Sequence, residues 1–244
     1  AGVQATVTAI RYLHPILPII LVNDFSEAQC AQVLRSLTKR GGNIVLVERD
    51  VNGGKGAAVK SGLRHAYGMG FTHAVQLDAD GQHDVTDIAL FLQSAEQQID
   101  AMIVGVPIFD ASISAVRYYG RYLTHIWIWI NTLSTQLKDA MCGFRVYPLA
   151  QVTQLISSEA LGDRMDFDIE VLVRWVWHGW PTHQLATRVI YPVGGISHFR
   201  GLEDNVLITR AHIRLFFGML VRLPALMRHK ITKDAVHGSG TVER

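Results

Sequence analysis

The sequence predicts an α/β fold in which a mostly parallel sheet carries helices on both faces. One observation behind this prediction is alternation: to about residue 105, short apolar runs that suit buried strands are followed by longer stretches that suit helices. The other is composition, because 49% hydrophobic and 18% charged residues among 244 can build a sizeable core. The length fits one large domain, or one domain with a small appendage.

The elements of the first part have local signals. The stretch 18–22 reads Pro-Ile-Ile-Leu-Val and predicts a buried strand, and the stretch 26–40 predicts a helix that Ser26 caps and that Gly41 and Gly42 end. We expect further helices over 4–13, 56–67 and 85–97, and further strands over 44–47, 74–77 and 101–104. Strands separated by helices indicate a parallel sheet.

After about residue 105 the elements become longer and more aromatic. An apolar stretch at 116–135 is rich in Tyr and Trp, and another at 202–228 carries spaced arginines. Between them we expect a strand over 142–147, a helix over 166–178 and a strand over 187–191. The predicted organisation is a sheet domain over 1–200, an amphipathic helical segment over 201–230 and a disordered polar tail over 231–244.

Charge and cysteine content narrow the function classes. The net charge of +2 is nearly neutral and does not by itself indicate nucleic acid, and no nucleic-acid partner is predicted. Cys30 and Cys142 have neither metal-binding nor redox spacing, so we expect a reducing, cytoplasmic setting. The start shows no secretory signal, and no run of about 18 uncharged apolar residues predicts a membrane-spanning helix.

The most informative stretch is Asp78-Ala79-Asp80, directly after a predicted strand. The two carboxylates leave an extended chain on the same side, and the Gln82 amide is next in that series. Oxygen ligands of this kind suit Mg²⁺ or Mn²⁺ bridging to a phosphate. Three alternatives stay open: a polar turn, a calcium loop, and a phosphatase of the haloacid dehalogenase type with Asp78 as nucleophile, which Gln82 disfavours.

Other polar positions follow predicted strands. Asn52-Gly53-Gly54-Lys55-Gly56 is either a phosphate-binding loop or a turn that packs a strand against a helix. Asp24 either reaches a base or ribose, or it caps the next helix. The arginines near segment boundaries suit phosphate groups or surface ion pairs; they are Arg117, Arg121, Arg145 and Arg200. Asp139 is a candidate base or a partner of Arg145.

Taken in order, these motifs resemble the family 2 glycosyltransferases, and within them the dolichyl/polyprenyl-phosphate mannosyltransferase branch. The resemblance covers about residues 3–228. It is carried by Val-Asn-Asp-Phe-Ser at 22–26, Asn-Gly-Gly-Lys-Gly at 52–56, Asp-Ala-Asp-Gly-Gln-His at 78–83, Asp-Ala-Met-Cys-Gly-Phe-Arg at 139–145 and Gly-Ile-Ser-His-Phe-Arg at 195–200. It implies a GT-A fold and a metal-assisted, inverting transfer of sugar from a nucleotide diphosphate to a membrane lipid.

The resemblance also implies roles for single residues. Asp78, Asp80 and Gln82 would hold Mg²⁺ or Mn²⁺ and the diphosphate. Asp24, Asn52 and Lys55 would line the nucleotide, whereas Arg117, Arg145 and Arg200 would hold a lipid-phosphate acceptor. The residues expected to act in the chemistry are Asp80, Asp139 and Arg145. The enzyme would lie peripherally on the inner face of the cell membrane, because Trp, Tyr and Arg favour that interface.

This sequence departs from the family pattern in two places. The family begins with a strand ending in a Pro-x-Tyr-Asn-like motif, and here the chain begins in what reads as the following helix. The usual Asp-Asp-Gly-Ser is Asn-Asp-Phe-Ser at 23–26. A second interpretation is therefore a truncated nucleotide-sugar-binding remnant without activity, and a third is a phosphohydrolase that uses Asp78.

Overall fold

The structure, a computed structural model, describes residues 2–39, 41, 43–109, 115–189 and 201–238. Helices and strands alternate as the sequence predicts. In chain order they are α1 (Gly2–Leu13), β1 (Ile19–Asn23), α2 (Ala28–Lys39), β2 (Ile44–Glu48), α3 (Lys55–Gly68), β3 (His73–Gln76), a short 3-10 helix (Val85–Asp87), α4 (Ile88–Gln97), β4 (Met102–Phe109), α5 (Ala115–Thr132), β5 (Arg145–Pro148), α6 (Leu149–Ser158), α7 (Phe167–Trp177), β6 (Thr182–Val189) and α8 (Gly201–Gly238).

The described strands form two sheets. β1 and β2 pair in parallel, with Ile19 opposite Ile44. The other sheet has the order β3-β5-β4-β6, in which β4 and β6 are parallel and β5 is antiparallel to both of its neighbours. The predicted α/β fold is confirmed, with one local difference: β5 is antiparallel to both β3 and β4, although helix α5 lies between β4 and β5 in the chain.

Two clusters of buried side chains lie on the two faces of these sheets. One gathers residues from α3, β4 and the helices α5 to α8, including Met102, Trp175 and Leu215. The other joins α1, β1, α2 and α4 to the opposite face of the strands, where Ile19 and Ile103 belong to the same cluster. Neighbouring residues of β4 enter different clusters because side chains alternate along a strand.

Several elements differ from the prediction. Strand β4 continues to Phe109 rather than ending at 104, and β5 covers Arg145–Pro148 rather than 142–147. Helix α6 was not expected, because Gln and Ser interrupt its apolar positions. Strand β6 begins at Thr182, well before the predicted 187. The sequence pattern missed its first half because that half is only partly buried and carries polar residues. Helix α8 continues to Gly238, into the segment 231–244 for which a disordered tail is predicted, and ends where a Gly-Ser-Gly run begins.

A cavity of about 420 Å³ lies between β1 and β3. Side chains of α1, including Val7, and of α3, including Leu63, line it together with both strands. At its end, Lys55, Asp78 and the backbone of Ala79 reach the carboxyl edge of the sheets. The first residue of α1 lies there too, because a side chain at Gly2 would come within 2.8 Å of the Ala79 carbonyl oxygen.

Candidate active site

The carboxyl ends of β1, β2 and β3 bring the predicted polar residues together. Asp24 follows β1, the glycine loop with Asn52 follows β2, and Asp78 follows β3. The Asn52 side-chain amide donates to the Asp24 carbonyl at 2.9 Å, and Lys55 Nζ lies 2.8 Å from Asp78 Oδ2. The edge therefore holds an ammonium group and carboxylates in one place, the groups that suit a phosphate and a divalent cation respectively.

Asp24 organises the glycine loop. Its Oδ1 accepts from Gly53 N–H at 3.0 Å and from Arg49 Nε at 2.8 Å, and its Oδ2 accepts from Gly54 N–H at 2.6 Å. Gly54 has a φ of +96°, a backbone conformation that favours glycine. Both carboxylate oxygens thus hold the loop in shape, a contact that the sequence prediction of a base or ribose ligand did not include.

Lys55 is the first residue of α3, and its Nζ bridges two carboxylates. The partners are Asp78 Oδ2 at 2.8 Å and Asp168 Oδ2 at 2.9 Å. Burial disfavours the charged lysine, but Asp168 and Asp78 outweigh burial and raise the pKa of Lys55 above its ordinary value. Burial likewise opposes charge on Asp78, yet Lys55 lowers the pKa of that carboxyl below its ordinary value.

Asp168 is itself held in a buried network. Its Oδ1 accepts from Gln76 Nε2 at 3.3 Å, and Gln76 Oε1 accepts from the Tyr147 hydroxyl at 2.9 Å. Asp168 is 3% exposed, whereas the Asp78 side chain is 29% exposed. One partner of Lys55 is therefore fixed in the core, and the other lies near the surface.

The Asp78–Asp80 pair offers hard oxygen ligands at this surface. Asp80 is exposed, and its Oδ1 accepts from the Gln82 backbone N–H at 3.0 Å. Among the described residues, no group of three His, Cys, Asp or Glu side chains could hold a metal ion, so amide or substrate oxygens would have to complete a coordination shell. The site fits a cation in one respect: Asp78 already pairs with an ammonium group, and Gly143 makes room for this pair, since a side chain there would come within 2.5 Å of Asp78 Oδ2 and 2.8 Å of Lys55 Nζ.

Asp139 is buried, and donors surround it. Arg121 donates to both oxygens at 2.6 and 2.9 Å, His125 Nε2 lies 3.3 Å away, and the N–H groups of Met141 and Cys142 donate at 2.8 and 2.7 Å. Burial opposes its charge, but Arg121 and His125 hold the pKa of Asp139 well below its ordinary value. The arginine partner of Asp139 is thus Arg121 rather than Arg145, and the role of Asp139 as a catalytic base stays a prediction.

Arg145 is completely buried. Its Nε donates to the Cys142 carbonyl at 2.9 Å, and its two terminal nitrogens donate to the carbonyls of Asp168 and Ala140 at 2.8 Å. The expected contact with an acceptor phosphate is therefore corrected to a structural contact, since the guanidinium group ties the 140–142 loop to the start of α7. Arg200 lies outside the described residues, and so does the side chain of Arg117.

Sequence reasoning gave no role to Asp168, Arg49 or His83. Asp168 lies in the first turn of α7, where acidic residues are common and draw no attention. Arg49 follows β2 and reaches Ser61 Oγ at 2.6 Å as well as Asp24. His83 ends the Asp78–His83 motif, and its Nε2 is 3.9 Å from Asp78 Oδ2. Of these three residues, only His83 could have been found from the sequence, since it belongs to the Asp78–His83 motif.

The fold is an α/β fold of the GT-A type. The profile of the family described as "Glycosyl transferase family 2" matches residues 1–163, which is more than half of the chain. The chain belongs to glycosyl transferase family 2, and the predicted resemblance is confirmed.

Curated relatives come from eukaryotes, archaea and bacteria. A dolichyl-phosphate beta-glucosyltransferase of Trichomonas vaginalis is 30% identical over 164 residues, covering 64% of this chain and 49% of the relative. A UDP-N-acetylglucosamine–dolichyl-phosphate N-acetylglucosaminyltransferase of Methanococcus voltae is 31% identical over 99 residues, covering 36% of this chain and 39% of the relative. The chain thus spans about half the length of the first relative and less of the second.

Among solved structures, the chain is similar to glucosyl-3-phosphoglycerate synthase from Mycobacterium tuberculosis. In its complex with Mn²⁺, UDP and glucosyl-3-phosphoglycerate, that protein aligns with a TM-score of 0.60 at 12% identity, covering 89% of this chain and 75% of the other. At this identity, the likeness shows the fold alone.

Proposed function

We propose that this chain transfers a sugar from a nucleotide diphosphate sugar to a lipid phosphate of the dolichyl or polyprenyl type. The observation that carries the proposal is the junction of the glycine loop and the end of β3, where Lys55 pairs with Asp78. The names of the relatives support the acceptor class, because the two relatives described above are named as dolichyl-phosphate transferases.

The charges of the site suit the departure of a nucleoside diphosphate. Asp78, Asp80 and Gln82 would hold Mg²⁺ or Mn²⁺, which when bound offsets the negative charge that develops on the leaving group. Lys55 adds an ammonium group beside the same position, and Asp24 keeps the N–H groups of the loop in a fixed arrangement. An ammonium group held in place in this way stabilises charge without reorganising during the reaction.

A phosphate acceptor is already anionic, so the reaction needs no general base. This agrees with the state of Asp139, whose oxygens are occupied by donors. Attack from the face opposite the leaving diphosphate inverts the anomeric centre. In this proposal Arg117 and Arg200 keep the acceptor role that the family resemblance implies, whereas Arg145 supports the loop beneath the site.

We also propose that the faces of α5 and α8 lie on the cytoplasmic side of a membrane. Among the described residues, no helix has the length and apolar character needed to cross a bilayer. Yet α8 exposes Phe217 at 62% and Val221 at 80%, and α5 exposes Leu123 at 59%. Apolar side chains with arginines on the same helix suit an anionic lipid surface, where an acceptor lipid would be found.

The test of the site is Asp80→Ala. We expect the variant to lose Mn²⁺-dependent binding of nucleotide sugars by at least about tenfold in titration calorimetry, because a metal ligand is removed. UDP and GDP sugars form the donor panel. Asp100→Ala is the matched control. It removes a carboxylate just before β4, at the amino end of that strand, and should bind nucleotide sugars as the wild type does. Unchanged binding by Asp80→Ala would refute the metal site.

The test of the membrane face is the double variant Phe217→Ser and Val221→Ser. We expect reduced co-sedimentation with vesicles that contain anionic phospholipid, because the apolar area available for insertion is lost. Ile99→Ser removes a side chain that is 63% exposed at the amino end of β4 and serves as control. Equal sedimentation of the double variant and the wild type would contradict the assignment of this face.

A second candidate function is a nucleotide-sugar-binding unit without transfer activity. The cavity between β1 and β3 favours it, because it leaves the facing edges of the two sheets apart beside the site. Donor binding without turnover, measured with a dolichyl phosphate and the matching nucleotide sugar, would support this candidate. Turnover would remove it. Family membership disfavours a phosphohydrolase that uses Asp78, and phosphate release without sugar transfer would restore that interpretation.

A further inference from the structure

The ammonium group of Lys55 lies between two carboxylates that differ in freedom. Asp168 belongs to α7, is almost fully buried and is fixed by Gln76. Asp78 stands in the turn after β3 and is partly exposed. The distances from Lys55 Nζ to the two carboxylates are nearly equal, at 2.8 Å to Asp78 and 2.9 Å to Asp168. A lysine with one fixed and one more accessible partner can remain paired when the accessible partner takes up another cation.

The backbone fixes Lys55 to Asp168 independently of Asp78. The first turn of α3 is bound to the segment before α7, since Ala57 N–H donates to the Asp163 carbonyl at 2.8 Å. Gly56 lies so close to Phe167 that an added Cβ would be 2.5 Å from the Phe167 Cβ. Lys55 and Asp168 thus sit on two helix starts that touch each other, and neither depends on the turn that carries Asp78 and Asp80.

A metal ion at Asp78 would compete with Lys55 for that carboxylate. Two cations on one carboxylate repel each other, and a buried lysine that lost its only partner would carry an uncompensated charge. Asp168 removes this difficulty, because it pairs with Lys55 whether or not Asp78 is engaged elsewhere.

We propose that Lys55 is an internal counter-ion, which pairs with Asp78 before a divalent cation arrives and then stays on Asp168 while Asp78 passes to the cation. The ammonium group then remains beside the cation, where it can donate to the diphosphate. Asp168 is a positioning residue, since it acts through Lys55. The inference rests on the metal–diphosphate site of the proposed function and adds the exchange of partners at Asp78.

The exchange predicts opposite effects for the two residues on binding of Mn²⁺ alone. Lys55→Gln removes the competing cation and should bind Mn²⁺ about threefold to tenfold more tightly. Asp168→Asn leaves Lys55 with Asp78 as its only carboxylate and should bind Mn²⁺ about tenfold more weakly. The double variant should behave like Lys55→Gln, because Asp168 acts through the lysine.

The experiment is a titration of the whole chain with Mn²⁺, followed by electron paramagnetic resonance, with thermal melting to confirm folding. Lys60→Gln is the matched control: it removes the same charge from α3, but Lys60 pairs with Asp163 rather than Asp78. Lys60→Gln should bind Mn²⁺ as the wild type does. If Asp168→Asn does not fold, the sign of the Lys55→Gln effect decides the question alone.

The outcomes separate the two proposals. Wild-type binding of Mn²⁺ that Asp80→Ala abolishes supports the metal site. If Lys55→Gln then binds Mn²⁺ no more tightly than the wild type, or only as tightly as Lys60→Gln does, the exchange is overturned while the metal site stands. Absence of Mn²⁺ binding by the wild type overturns both.

Discussion

The middle of the four-stranded sheet, formed by β5 and the first half of β4, is more completely buried than β1 and β2, and also than the edge strands β3 and β6 of its own sheet. All four residues of β5 are buried, whereas alternate residues of β1 and all residues of β2 are only partly buried or exposed. The cavity beside β1 accounts for part of this difference, because the partly buried residues Ile20 and Val22 line it. The better-packed part therefore provides a rigid support, and the less-packed part carries Asp24 and the glycine loop.

The site lies where these two parts meet. Lys55 and the glycine loop follow β2, whereas Asp78 and Asp168 belong to the four-stranded sheet and its covering helices. The two ion pairs of Lys55 cross this junction. The geometry of the site consequently depends on how firmly the two parts are held together. Equivalent substitutions in the two parts should therefore lower the stability of the fold by different amounts.

The largest effect should come from equal truncations in the two sheets. Ile103→Ala in β4 should lower the free energy of unfolding by about 4 kcal/mol, because the side chain is completely buried. Ile19→Ala in β1 should cost about 2 kcal/mol, because Ile19 already borders the cavity. Urea denaturation measures both. Equal losses would show that the cavity does not weaken the packing of β1.

A second effect concerns the helical layer over the four-stranded sheet. His212 of α8 is buried, and burial lowers its pKa from 6.5 to about 4. The unfolded chain therefore binds a proton below pH 6.5 that the folded chain takes up only near pH 4. This contribution to stability is complete above pH 6.5 and is lost as the pH falls, by up to about 3 kcal/mol.

His212→Asn keeps a hydrogen-bond acceptor near Asn131 but does not titrate. Between pH 6.5 and pH 4 we expect the variant to lose less stability than the wild type, as measured by urea denaturation at several pH values. Parallel curves for the two proteins would mean that α8 is released from α5 before His212 titrates, and that the layer over the larger sheet is the weaker one.

Much of this fold could be predicted from the sequence, because strands and helices alternate and each type of element has its own spacing of apolar residues. The direction of β5 could not, since a short apolar run has the same composition in either direction. The buried position of Arg145 could not either: its guanidinium group is satisfied by three backbone carbonyls that only the folded loop brings near. An arginine after an apolar run reads equally well as a phosphate ligand.

The site divides in the same way. Residues directly after strands converge because parallel strands end at one edge, and this general rule correctly united Asp24, Lys55 and Asp78. Asp168 reaches the site from the first turn of a distant helix, and no local pattern indicates which side chain such a turn will meet. Sequence spacing thus predicts the strand-end residues and misses the helix-start residues that support them.

A third, smaller effect tests the glycine loop on the less-packed side. Asp24→Asn keeps one oxygen but places an amide N–H₂ against the N–H groups of Gly53 or Gly54. We expect a loss of about 2 kcal/mol in the free energy of unfolding and weaker donor binding. Hydrogen exchange should show faster exchange of the Gly53 and Gly54 amides. Unchanged exchange would mean that Arg49 and Asn52 hold the loop without Asp24.

The smallest effect should come from the outer surface of the less-packed part. Arg35 donates to Glu48 at the end of β2, with side chains that are 60% and 44% exposed. The Arg35 hydrogen bond lowers the pKa of Glu48, but water and salt screen such an exposed pair. Arg35→Ala should leave the melting temperature unchanged within error, with and without added salt. Among the described residues, β2 has only β1 as a strand neighbour. A clear decrease in the melting temperature would show that β2 relies on Arg35 for its position beside β1. The contrast between the two sheets would then extend from apolar packing to ion pairs.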